Sequence, residues 1–290
     1  MENNGNYKVT VYIPTKNRKG LLGTAVESVR RQTYTNWELI VVDDGSTDGT
    51  SDLLREISSS DPRIKYIVNE TSLGGAGARN RAIQAATGDF VTGLDDDDTF
   101  VTNRLELFVK EWEKLWRGNK KYAFLYSNLN EYIHGSMVGV VKKPGVVTYN
   151  NMFYGNAVGN QIFAPKSHYI DSGLFNEELP AWQDLEFFMR VLKRYGEARL
   201  VDEATYNFDN TPRVDRISLK KEGDIRAAYA KVKAAHHHPE PRFRQMLQMQ
   251  LYARLYGIKP NMADLIELLR NGIWIEGLVT MFKARVISIR

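Results

Sequence analysis

Four consecutive carboxylates, Asp95, Asp96, Asp97 and Asp98, are the residues of this sequence best suited to chemistry. They follow the small and apolar residues 90–94 (FVTGL), a pattern that predicts a buried strand. Adjacent carboxylates beside such a strand are unfavourable unless a cation neutralises them. Mg²⁺ and Mn²⁺ prefer oxygen ligands and leave positions open for phosphate oxygens, so one interpretation is a divalent cation beside a phosphate ligand. The alternative is a solvated acidic turn or helix N-terminus.

Two other polar clusters also follow predicted strands. Residues 14–18 (PTKNR) follow the β-branched run at 8–13, and residues 43–48 (DDGSTD) follow the apolar run at 37–42. Strand and helix signals alternate over the first 130 residues, which predicts an α/β fold with a mostly parallel sheet and helices on both faces. Ligands bind beyond the carboxyl ends of the strands in such a sheet, so we expect the three clusters to form one site.

Three glycines, Gly74, Gly75 and Gly77, follow the third predicted strand. Their spacing differs from G-x-G-x-x-G, and a dinucleotide fingerprint would follow the first strand, so that interpretation is rejected. We interpret them as a tight loop that allows close approach of the backbone. The other elements predicted in this half are helices at 20–32, 52–57 and 76–86 and a strand at 64–68.

The composition is that of an ordinary globular protein. The 290 residues include 39 basic and 35 acidic side chains, and the resulting net charge of +4 does not favour a nucleic-acid partner. The absence of cysteine excludes disulfides and cysteine-based zinc sites. No stretch approaches the roughly 20 apolar residues of a membrane span, and the polar N-terminus shows no signal peptide. We therefore expect a cytoplasmic protein.

Four motifs together resemble a known family. They are IPTKNR at 13–18, VVDDGSTDGT at 41–50, GGAGARNRA at 74–82 and LDDDD at 94–98. In this order and spacing they resemble family 2 glycosyltransferases with the GT-A fold, over about the first 210 residues. The resemblance implies that the first half binds a nucleotide-diphosphate sugar, usually a UDP-sugar, together with Mn²⁺ or Mg²⁺.

The resemblance also implies roles for residues of the first two motifs. Pro14, Thr15 and Arg18 are expected beside the nucleotide. Asp44, or alternatively Asp43, is expected to form a hydrogen bond with the uracil.

The third and fourth motifs carry the remaining donor-site residues that the resemblance implies. Arg79 is expected near the base or the phosphates. The Asp-x-Asp motif of the family maps onto Asp95 and Asp97, so that Asp97 ligates the metal and Asp95 reaches the ribose or a water on the metal. Because all four positions are Asp, a register shifted by one would place Asp96 and Asp98 in these roles.

Residues 120–210 form the predicted acceptor half, with strands at 123–128 and 161–164 and an irregular stretch at 134–159. An apolar stripe predicts a helix at 184–195 with Asp184 in its first turn. From the residues alone an N-terminal helix cap is the favoured interpretation of Asp184. The resemblance implies instead that Asp184 is the general base, with Glu186 as the second choice. The Gln-x-x-Arg-Trp motif of processive members is absent, which favours addition of a single sugar.

Two short strands at 198–201 and 205–208 precede a loop at 209–220 that carries Arg213, Arg216 and Ser218. In the resembled family a loop at this place closes over the diphosphate. Because this loop lacks His, phosphate binding by Arg213 and Arg216 is the preferred interpretation, and a solvated basic loop is the alternative.

The C-terminal part is expected to be helical, at 219–235, 242–256, 262–270 and 273–286. His236, His237 and His238 are interpreted as surface residues, because three consecutive side chains on a helix cannot face one ion. Residues 273–290 combine apolar and basic side chains, which favours packing on the catalytic domain and also suits an anionic membrane surface. We expect a catalytic domain at 1–215, divided at residue 100 into donor and acceptor halves, and a helical extension at 216–290.

The resemblance implies an inverting reaction in which a UDP-α-sugar gives a β-linkage. The acceptor is expected to be a saccharide, in particular a lipid-linked one, in the synthesis of bacterial surface polysaccharide such as O-antigen, capsule or lipopolysaccharide. Two alternatives remain at this point, a catalytically silent nucleotide-sugar-binding protein of the same pathway and a nucleotidyltransferase.

Overall fold

A computed structural model gives the fold of residues 6–213, 221–253 and 255–272, together with Ile275, Gly277 and Val279. The strands are β1 (Val9–Thr15), β2 (Trp37–Asp43), β3 (Ile64–Val68), β4 (Phe90–Gly93), β5 (Thr99–Phe100), β6 (Leu125–Ile133), β7 (Ser136–Val141), β8 (Val146–Val147), β9 (Phe163–Pro165) and β10 (Ala198–Asp209). The helices are α1 (Lys19–Arg30), α2 (Thr50–Ser60), α3 (Gly74–Ala85), α4 (Arg104–Arg117), α5 (Lys166–Asp171), α6 (Gln183–Tyr195), α7 (Glu222–Ala235), α8 (Pro241–Met249) and α9 (Met262–Arg270), with 3-10 turns at Tyr149–Phe153 and Gln250–Tyr252.

One sheet runs through the molecule in the order β3-β2-β1-β4-β9-β6-β10-β5. The strands β3, β2, β1 and β4 are parallel, as the alternation of strands and helices predicted. Beyond β4 the sheet is mixed, because β9 runs antiparallel to both β4 and β6. The long strands β6 and β10 pair in parallel with each other and run in the same direction as β4, and the antiparallel strands β5, β7, β8 and β9 are short. The expectation of a mostly parallel sheet is therefore confirmed.

The first strands are apolar at consecutive positions because both faces of the sheet are covered. Val11 and Ile13 of β1 pack on one face together with Leu22 and Val26 of α1. Tyr12 of the same strand lies in the core on the opposite face, which includes residues of α3 and α6. Burial on both faces fixes the register of β1, so the polar residues that follow it are held in place.

Two strands differ from the prediction. The two short strands expected at 198–201 and 205–208 are one strand, β10, with an irregularity between Val201 and Ala204. The strand β7 lies within the stretch expected to be irregular, and most of its side chains are exposed. It pairs with β6 through a turn in which His134 and Gly135 have φ of 49° and 75°. A turn with two positive φ values is typical of a tight hairpin.

The glycines of the third motif do not form a loop, which corrects our interpretation. The helix α3 begins at Gly74, whose φ is +74°. Gly77 lies in the first turn, where a Cβ atom would be 2.5 Å from the Cβ atom of Leu73. The helix begins this early because small side chains let its first turn pack closely, and periodicity in apolar residues gives no signal for such a turn.

The C-terminal helices pack on the catalytic core. The prediction of surface positions is wrong for His236 and His238, which are buried, whereas His237 is exposed. His238 packs on Phe243, with 4.3 Å between ring centroids, and His236 lies against Glu186 of α6. No local pattern indicated this burial, because it comes from the packing of elements that are distant in the sequence.

The helix predicted at 242–256 is shorter in the structure, where α8 ends at Met249 and a 3-10 turn follows it. The predicted boundary at 215/216 and most of the predicted helix at 273–286 lie outside the described residues. Within the described part of the chain, no helix has the length and apolar character needed to cross a bilayer.

Candidate active site

The carboxyl ends of β1, β2 and β4 meet at one edge of the sheet. Thr15 is paired with Asp43 across β1 and β2, and Tyr12 is paired with Gly93 across β1 and β4. The hydroxyl of Thr15 donates a hydrogen bond to Asp96 Oδ2 at 2.7 Å, which joins the first cluster to the acidic run. The parallel strands thus bring the polar clusters together, as the sequence predicted.

Arg18 approaches the acidic run from the loop after β1, three residues beyond Pro14 and Thr15, the last residues of that strand. Its Nη1 donates a hydrogen bond to Asp96 Oδ1 at 2.8 Å and lies 3.2 Å from Asp97 Oδ2. Burial raises the pKa of Asp96, and the hydrogen bonds from Thr15 and Arg18 oppose the rise. The guanidinium therefore offsets part of the cost of placing adjacent carboxylates in a partly buried site.

The four carboxylates alternate in exposure. Asp96 and Asp98 are 4% and 2% exposed. The side chains of Asp95 and Asp97 are more exposed, at 23% and 14%. Burial raises the pKa of Asp97 to about 6. Asp98 accepts a hydrogen bond from the hydroxyl of Tyr206 at 2.7 Å and faces the protein. This alternation favours the register in which Asp95 and Asp97 face the ligand, and the register itself stays a prediction.

Both oxygens of Asp95 are held by neighbouring side chains. Oδ1 accepts hydrogen bonds from Gln161 Nε2 at 3.0 Å and Arg79 Nη2 at 3.2 Å, and Oδ2 accepts one from Asn160 Nδ2 at 2.6 Å. These donors hold both oxygens of Asp95, whereas the hydrogen bonds from Arg18 and Arg213 to Asp97 reach its Oδ2. Asp97 is therefore better suited than Asp95 to bind a metal, and this role stays a prediction.

Arg213 reaches the same run from the segment after β10. Its Nη2 lies 2.5 Å from Asp97 Oδ2, and its Nη1 lies 3.3 Å from Asp209 Oδ2. The side chain is 19% exposed, which does not fit the alternative of a solvated basic loop. Arg216 and Ser218, which were predicted to act with it, lie outside the described residues.

Asp43 and Asp44 shape the loops that follow β2 and β3. Asp44 accepts hydrogen bonds from Asn69 Nδ2 at 2.7 Å, Ser72 Oγ at 2.6 Å, Leu73 N at 2.8 Å and Gly74 N at 2.9 Å. A carboxylate has about four acceptor positions, so these donors fill them. Burial tends to raise the pKa of Asp44, but these hydrogen bonds hold it below its ordinary value.

Asp43 is fully buried and is also held by the protein itself. It accepts hydrogen bonds from Ser46 N at 3.0 Å and Ser51 Oγ at 2.6 Å. The contact of Asp44 or Asp43 with uracil stays a prediction, and at Asp44 it would have to replace one of the internal hydrogen bonds.

Asp184 lies in the first turn of α6 and does not cap this helix, so the capping interpretation is wrong. The cap position is taken by Trp182, and no side chain accepts a hydrogen bond there. Although Asp184 is only half-buried as a residue, its Oδ1 is buried and has no hydrogen-bond partner among the described residues. Burial raises the pKa of Asp184 to about 6, which Arg79 opposes and Asp95 reinforces. An unpaired carboxylate oxygen of this kind can accept a proton from a ligand hydroxyl.

Glu186, the second choice for the base, is engaged in packing. Its two oxygens accept hydrogen bonds from Arg190 at 2.7 and 2.8 Å, and His236 Nε2 lies 3.3 Å from Oε1. The residue is 3% exposed. It therefore links α6 to the C-terminal helices, and Asp184 is the better candidate.

The sequence of this chain matches the family model described as glycosyl transferase family 2 over residues 10–156, which include the ends of β1, β2 and β4 and the acidic run. The chain belongs to this family. The nucleotidyltransferase alternative is thereby rejected, and the predicted glycosyltransferase is confirmed.

Relatives of this glycosyltransferase include three bacterial enzymes. The putative colanic acid biosynthesis glycosyl transferase WcaA of Escherichia coli K12 is 37% identical over 201 residues, which cover 68% of this chain and 70% of WcaA. The UDP-Glc:alpha-D-GlcNAc-diphosphoundecaprenol beta-1,3-glucosyltransferase WfgD of Escherichia coli is 36% identical over 53% of this chain and 58% of its own length. The GalNAc(5)-diNAcBac-PP-undecaprenol beta-1,3-glucosyltransferase of Campylobacter jejuni is 35% identical over 42% of this chain and 38% of its own length.

Solved structures confirm the GT-A fold of this glycosyltransferase. TarS of S. aureus in complex with UDP-GlcNAc superposes with a TM-score of 0.66 at 20% identity, over 96% of this chain and 79% of that chain. The mannosyltransferase PcManGT of Pyrobaculum calidifontis, in complex with GDP-Man and Mn²⁺, superposes with a TM-score of 0.60 at 16% identity, over 97% of this chain and 80% of that chain.

The described residues of this glycosyltransferase would fit a divalent cation that also has ligands from a bound phosphate. No cluster of three or more His, Cys, Asp or Glu side chains suited to a metal occurs among the described residues. Mg²⁺ in phosphate sites is usually held by one or two carboxylates together with the phosphates. Asp97, which is partly exposed and whose pKa is raised by burial and by neighbouring carboxylates, would be such a ligand.

Several residues of the site were missed from the sequence. Asn160 and Gln161 bind Asp95 from β9's side of the sheet, and Gln161 Oε1 also accepts a hydrogen bond from the hydroxyl of Tyr12 at 3.2 Å. A Cβ atom at Gly93 would lie 1.8 Å from Gln161 Oε1. A glycine at the end of an apolar strand was the available signal for such a close approach.

Proposed function

We propose that this glycosyltransferase moves one sugar from a UDP-sugar to a saccharide acceptor, with inversion at the anomeric carbon. The observation that carries the proposal is the position of Arg79. Its Nη2 lies 3.2 Å from Asp95 Oδ1, and its Nη1 lies 3.4 Å from Oε1 of Gln183, the neighbour of Asp184. Arg79 also lies close enough to Asp184 to oppose the rise in its pKa. Asp95, on the donor side, and the candidate base Asp184 therefore lie around one guanidinium, as expected of a site where donor and acceptor meet.

On the donor side, Pro14, Thr15 and Arg18 lie beside the acidic run and are proposed to contact the nucleotide. Asp97 would hold Mn²⁺ or Mg²⁺, with Asp95 next to it. The cation, when bound, stabilises the negative charge that grows on the departing diphosphate. Arg213 adds a guanidinium that is suited to bind phosphate oxygens in bidentate fashion.

On the acceptor side, Asp184 is proposed to remove the proton from the attacking hydroxyl. Its pKa of about 6 leaves it ionised at neutral pH and makes it a stronger base than an ordinary Asp. Arg79 lowers the cost of this buried charge. One displacement inverts the configuration, so a UDP-α-sugar gives a β-linkage.

The proposed acceptor is a saccharide carried on a lipid diphosphate, in the synthesis of a bacterial surface polysaccharide. The support is the printed activity of relatives such as WfgD, which acts on a diphosphoundecaprenol-linked sugar. These relatives are matched over part of their length, and the donor sugar of one need not be that of another.

We also propose a peripheral contact with the inner face of the cell membrane through residues 273–290, most of which lie outside the described residues. The preceding helix α9 supports it, because Met262, Leu265, Ile266 and Leu269 form an exposed apolar stripe. Lys283, Arg285 and Arg290 would complement anionic lipid. Co-sedimentation with vesicles tests this contact, and equal recovery in the supernatant with and without anionic lipid would refute it.

The test of the proposed function is release of UDP from a panel of UDP-sugars, with Mn²⁺ or Mg²⁺ and a prenyl-diphosphate-linked saccharide as acceptor. EDTA and Asp97→Asn should each abolish metal-dependent release, and Asp184→Asn should lower turnover by roughly 10²- to 10⁴-fold. Asp184→Asn should retain binding of UDP. A wild-type chain that binds no UDP in calorimetry, with or without metal, would overturn the proposal, whereas binding without turnover would indicate the catalytically silent alternative.

A further inference from the structure

Trp182 adopts an uncommon backbone conformation directly before the candidate base. Its φ is 60° and its ψ is 24°, the left-handed region that glycine adopts without cost and bulky side chains rarely enter. Gln183 and Asp184 follow it as the first residues of α6. Residues held in such conformations persist when the surrounding structure imposes them, and they cluster at functional sites.

The contacts that hold Trp182 come from the C-terminal helical extension. Its indole Nε1 donates a hydrogen bond to the hydroxyl of Tyr256 at 3.0 Å. Its ring centroid lies 6.5 Å from that of Tyr256 and 6.4 Å from that of Tyr229 on α7. Tyr256 itself is fixed in a turn, where its N–H donates to Ala253 O at 2.9 Å.

The conformation of Trp182 affects how Gln183 and Asp184 are placed in the site. The left-handed residue sets the direction in which α6 begins, and the carbonyl of Trp182 accepts the first helical hydrogen bond, from Glu186 N at 3.0 Å. In this orientation Gln183 Oε1 lies 3.4 Å from Arg79 Nη1, and the buried Oδ1 of Asp184 has no hydrogen-bond partner in the part of the chain that the structure describes. A different conformation at Trp182 would turn both side chains away.

We propose that Tyr256 is a positioning residue for the reaction, which holds Trp182 in the left-handed conformation and thereby aims Asp184 at the acceptor. This inference rests on the proposed role of Asp184 as the base. It makes the extension a working part of the catalytic site, although the extension lies beyond the residues that match the family.

The experiment compares Tyr256→Phe with Tyr229→Phe in the full-length protein. Each change removes one hydroxyl from the extension and keeps the ring against Trp182. The hydroxyl of Tyr229 donates to Glu267 and does not reach Trp182, so this variant is the matched control. Four quantities are measured: kcat, the KM for the UDP-sugar, the melting temperature, and amide hydrogen exchange in the peptide that covers residues 179–186.

For Tyr256→Phe we expect a loss of kcat of about ten- to a hundredfold, the size of effect that a small misplacement of a reacting group produces. The KM for the UDP-sugar should change less than twofold, and exchange in residues 179–186 should become faster. Tyr229→Phe should lower the melting temperature by a similar amount and leave kcat and this exchange unchanged. Trp182→Phe removes the donor of the same hydrogen bond, so its loss of kcat and that of Tyr256→Phe should not add in the double variant.

Equal kcat in the two Tyr variants would overturn the proposal, whether both are normal or both are reduced. Faster exchange in Tyr256→Phe with normal kcat would overturn it as well, because the hydrogen bond would then hold the segment without serving the reaction. A wild-type chain that binds UDP but transfers no sugar would refute the proposed function itself, and this is seen before any variant is compared.

Discussion

Arg213 Nη2 lies 2.5 Å from Oδ2 of Asp97, the carboxylate proposed to hold the metal. The residue belongs to the segment after β10, more than a hundred positions away in the chain, so its presence here is a tertiary feature. A guanidinium and a divalent cation compete for the same oxygen when no nucleotide is bound. Once a diphosphate is bound, the phosphates offer Arg213 other partners.

This competition predicts opposite effects of Arg213→Ala on two measurements. Removing a positive charge near Asp97 should tighten the binding of Mn²⁺ alone by a few-fold, since the repulsion between the two cations is lost. Turnover of the UDP-sugar should fall by roughly tenfold, because a phosphate-binding guanidinium is lost. Mn²⁺ binding is followed by electron paramagnetic resonance without nucleotide. Arg55→Ala, an exposed residue of α2, is the control, and weaker binding of Mn²⁺ by Arg213→Ala would contradict the competition.

Gly93→Ala should disturb Asp95 through Gln161. The added Cβ atom would lie 1.8 Å from Gln161 Oε1 and 2.5 Å from Tyr12 Cζ, so both side chains must move. We expect destabilisation of about 1–3 kcal/mol, typical of overpacking, and a loss of turnover larger than that of Gln161→Ala. Gly20→Ala in α1, where nothing lies within 4 Å, should be neutral or stabilise by about 0.5–1 kcal/mol. Chemical denaturation measures both, and a Gly93→Ala protein as stable and active as wild type would refute the close approach.

Asp44→Asn should weaken both the fold and nucleotide binding. The carboxylate accepts four hydrogen bonds. In the Asn variant an NH₂ group replaces one oxygen, and because this group cannot accept hydrogen bonds, the donors that face it lose their partner. We expect a loss of about 2–4 kcal/mol in the free energy of unfolding. Affinity for UDP should fall by at least about tenfold, because the loop beside the site loses its anchor. Asp52→Asn on the exposed face of α2 is the control. Normal affinity for UDP in Asp44→Asn would show that neither the loop nor a direct uracil contact depends on this carboxylate.

The parts of the fold that follow from local pattern could be predicted. The parallel half of the sheet is apolar at consecutive positions, and the polar residues after each strand could only meet at its carboxyl edge. The mixed half could not be derived in this way, because the antiparallel placement of β9 depends on pairing with β4 and β6. The strand β7 was missed because it is exposed and its polar and apolar residues do not alternate. Only the pair His134 and Gly135 indicated the turn before it.

The same distinction holds within the candidate site. Thr15 is the last residue of β1, and Arg18 and Asp97 lie a few residues after the ends of β1 and β4, so their motifs were visible in the sequence. Asn160 lies 65 positions from the Asp95 that it binds, and nothing in its neighbourhood identifies the partner. The left-handed conformation of Trp182 could not be predicted either, since the residue type argues against it and the residues that contact its ring, Tyr229 and Tyr256, are distant in the sequence.

The raised pKa of Asp184 predicts a pH dependence of both activity and stability. Because the base must be ionised, kcat should decrease as the pH is lowered through about 6, whereas an ordinary Asp would give this decrease near pH 4. The measurement is made at saturating Mn²⁺, since a bound metal would keep Asp97 ionised. The folded state binds this proton more tightly than the unfolded state, whose pKa is ordinary, so this group contributes less stability as the pH rises from about 4 to 6. Asp184→Asn mimics the protonated form. Its free energy of unfolding should exceed that of the wild type by about 1–3 kcal/mol at pH 8, and this difference should shrink toward pH 4. Denaturant titrations at the two pH values measure this, with the exposed Asp52→Asn as control. A constant difference across this range would mean that burial does not raise the pKa of Asp184.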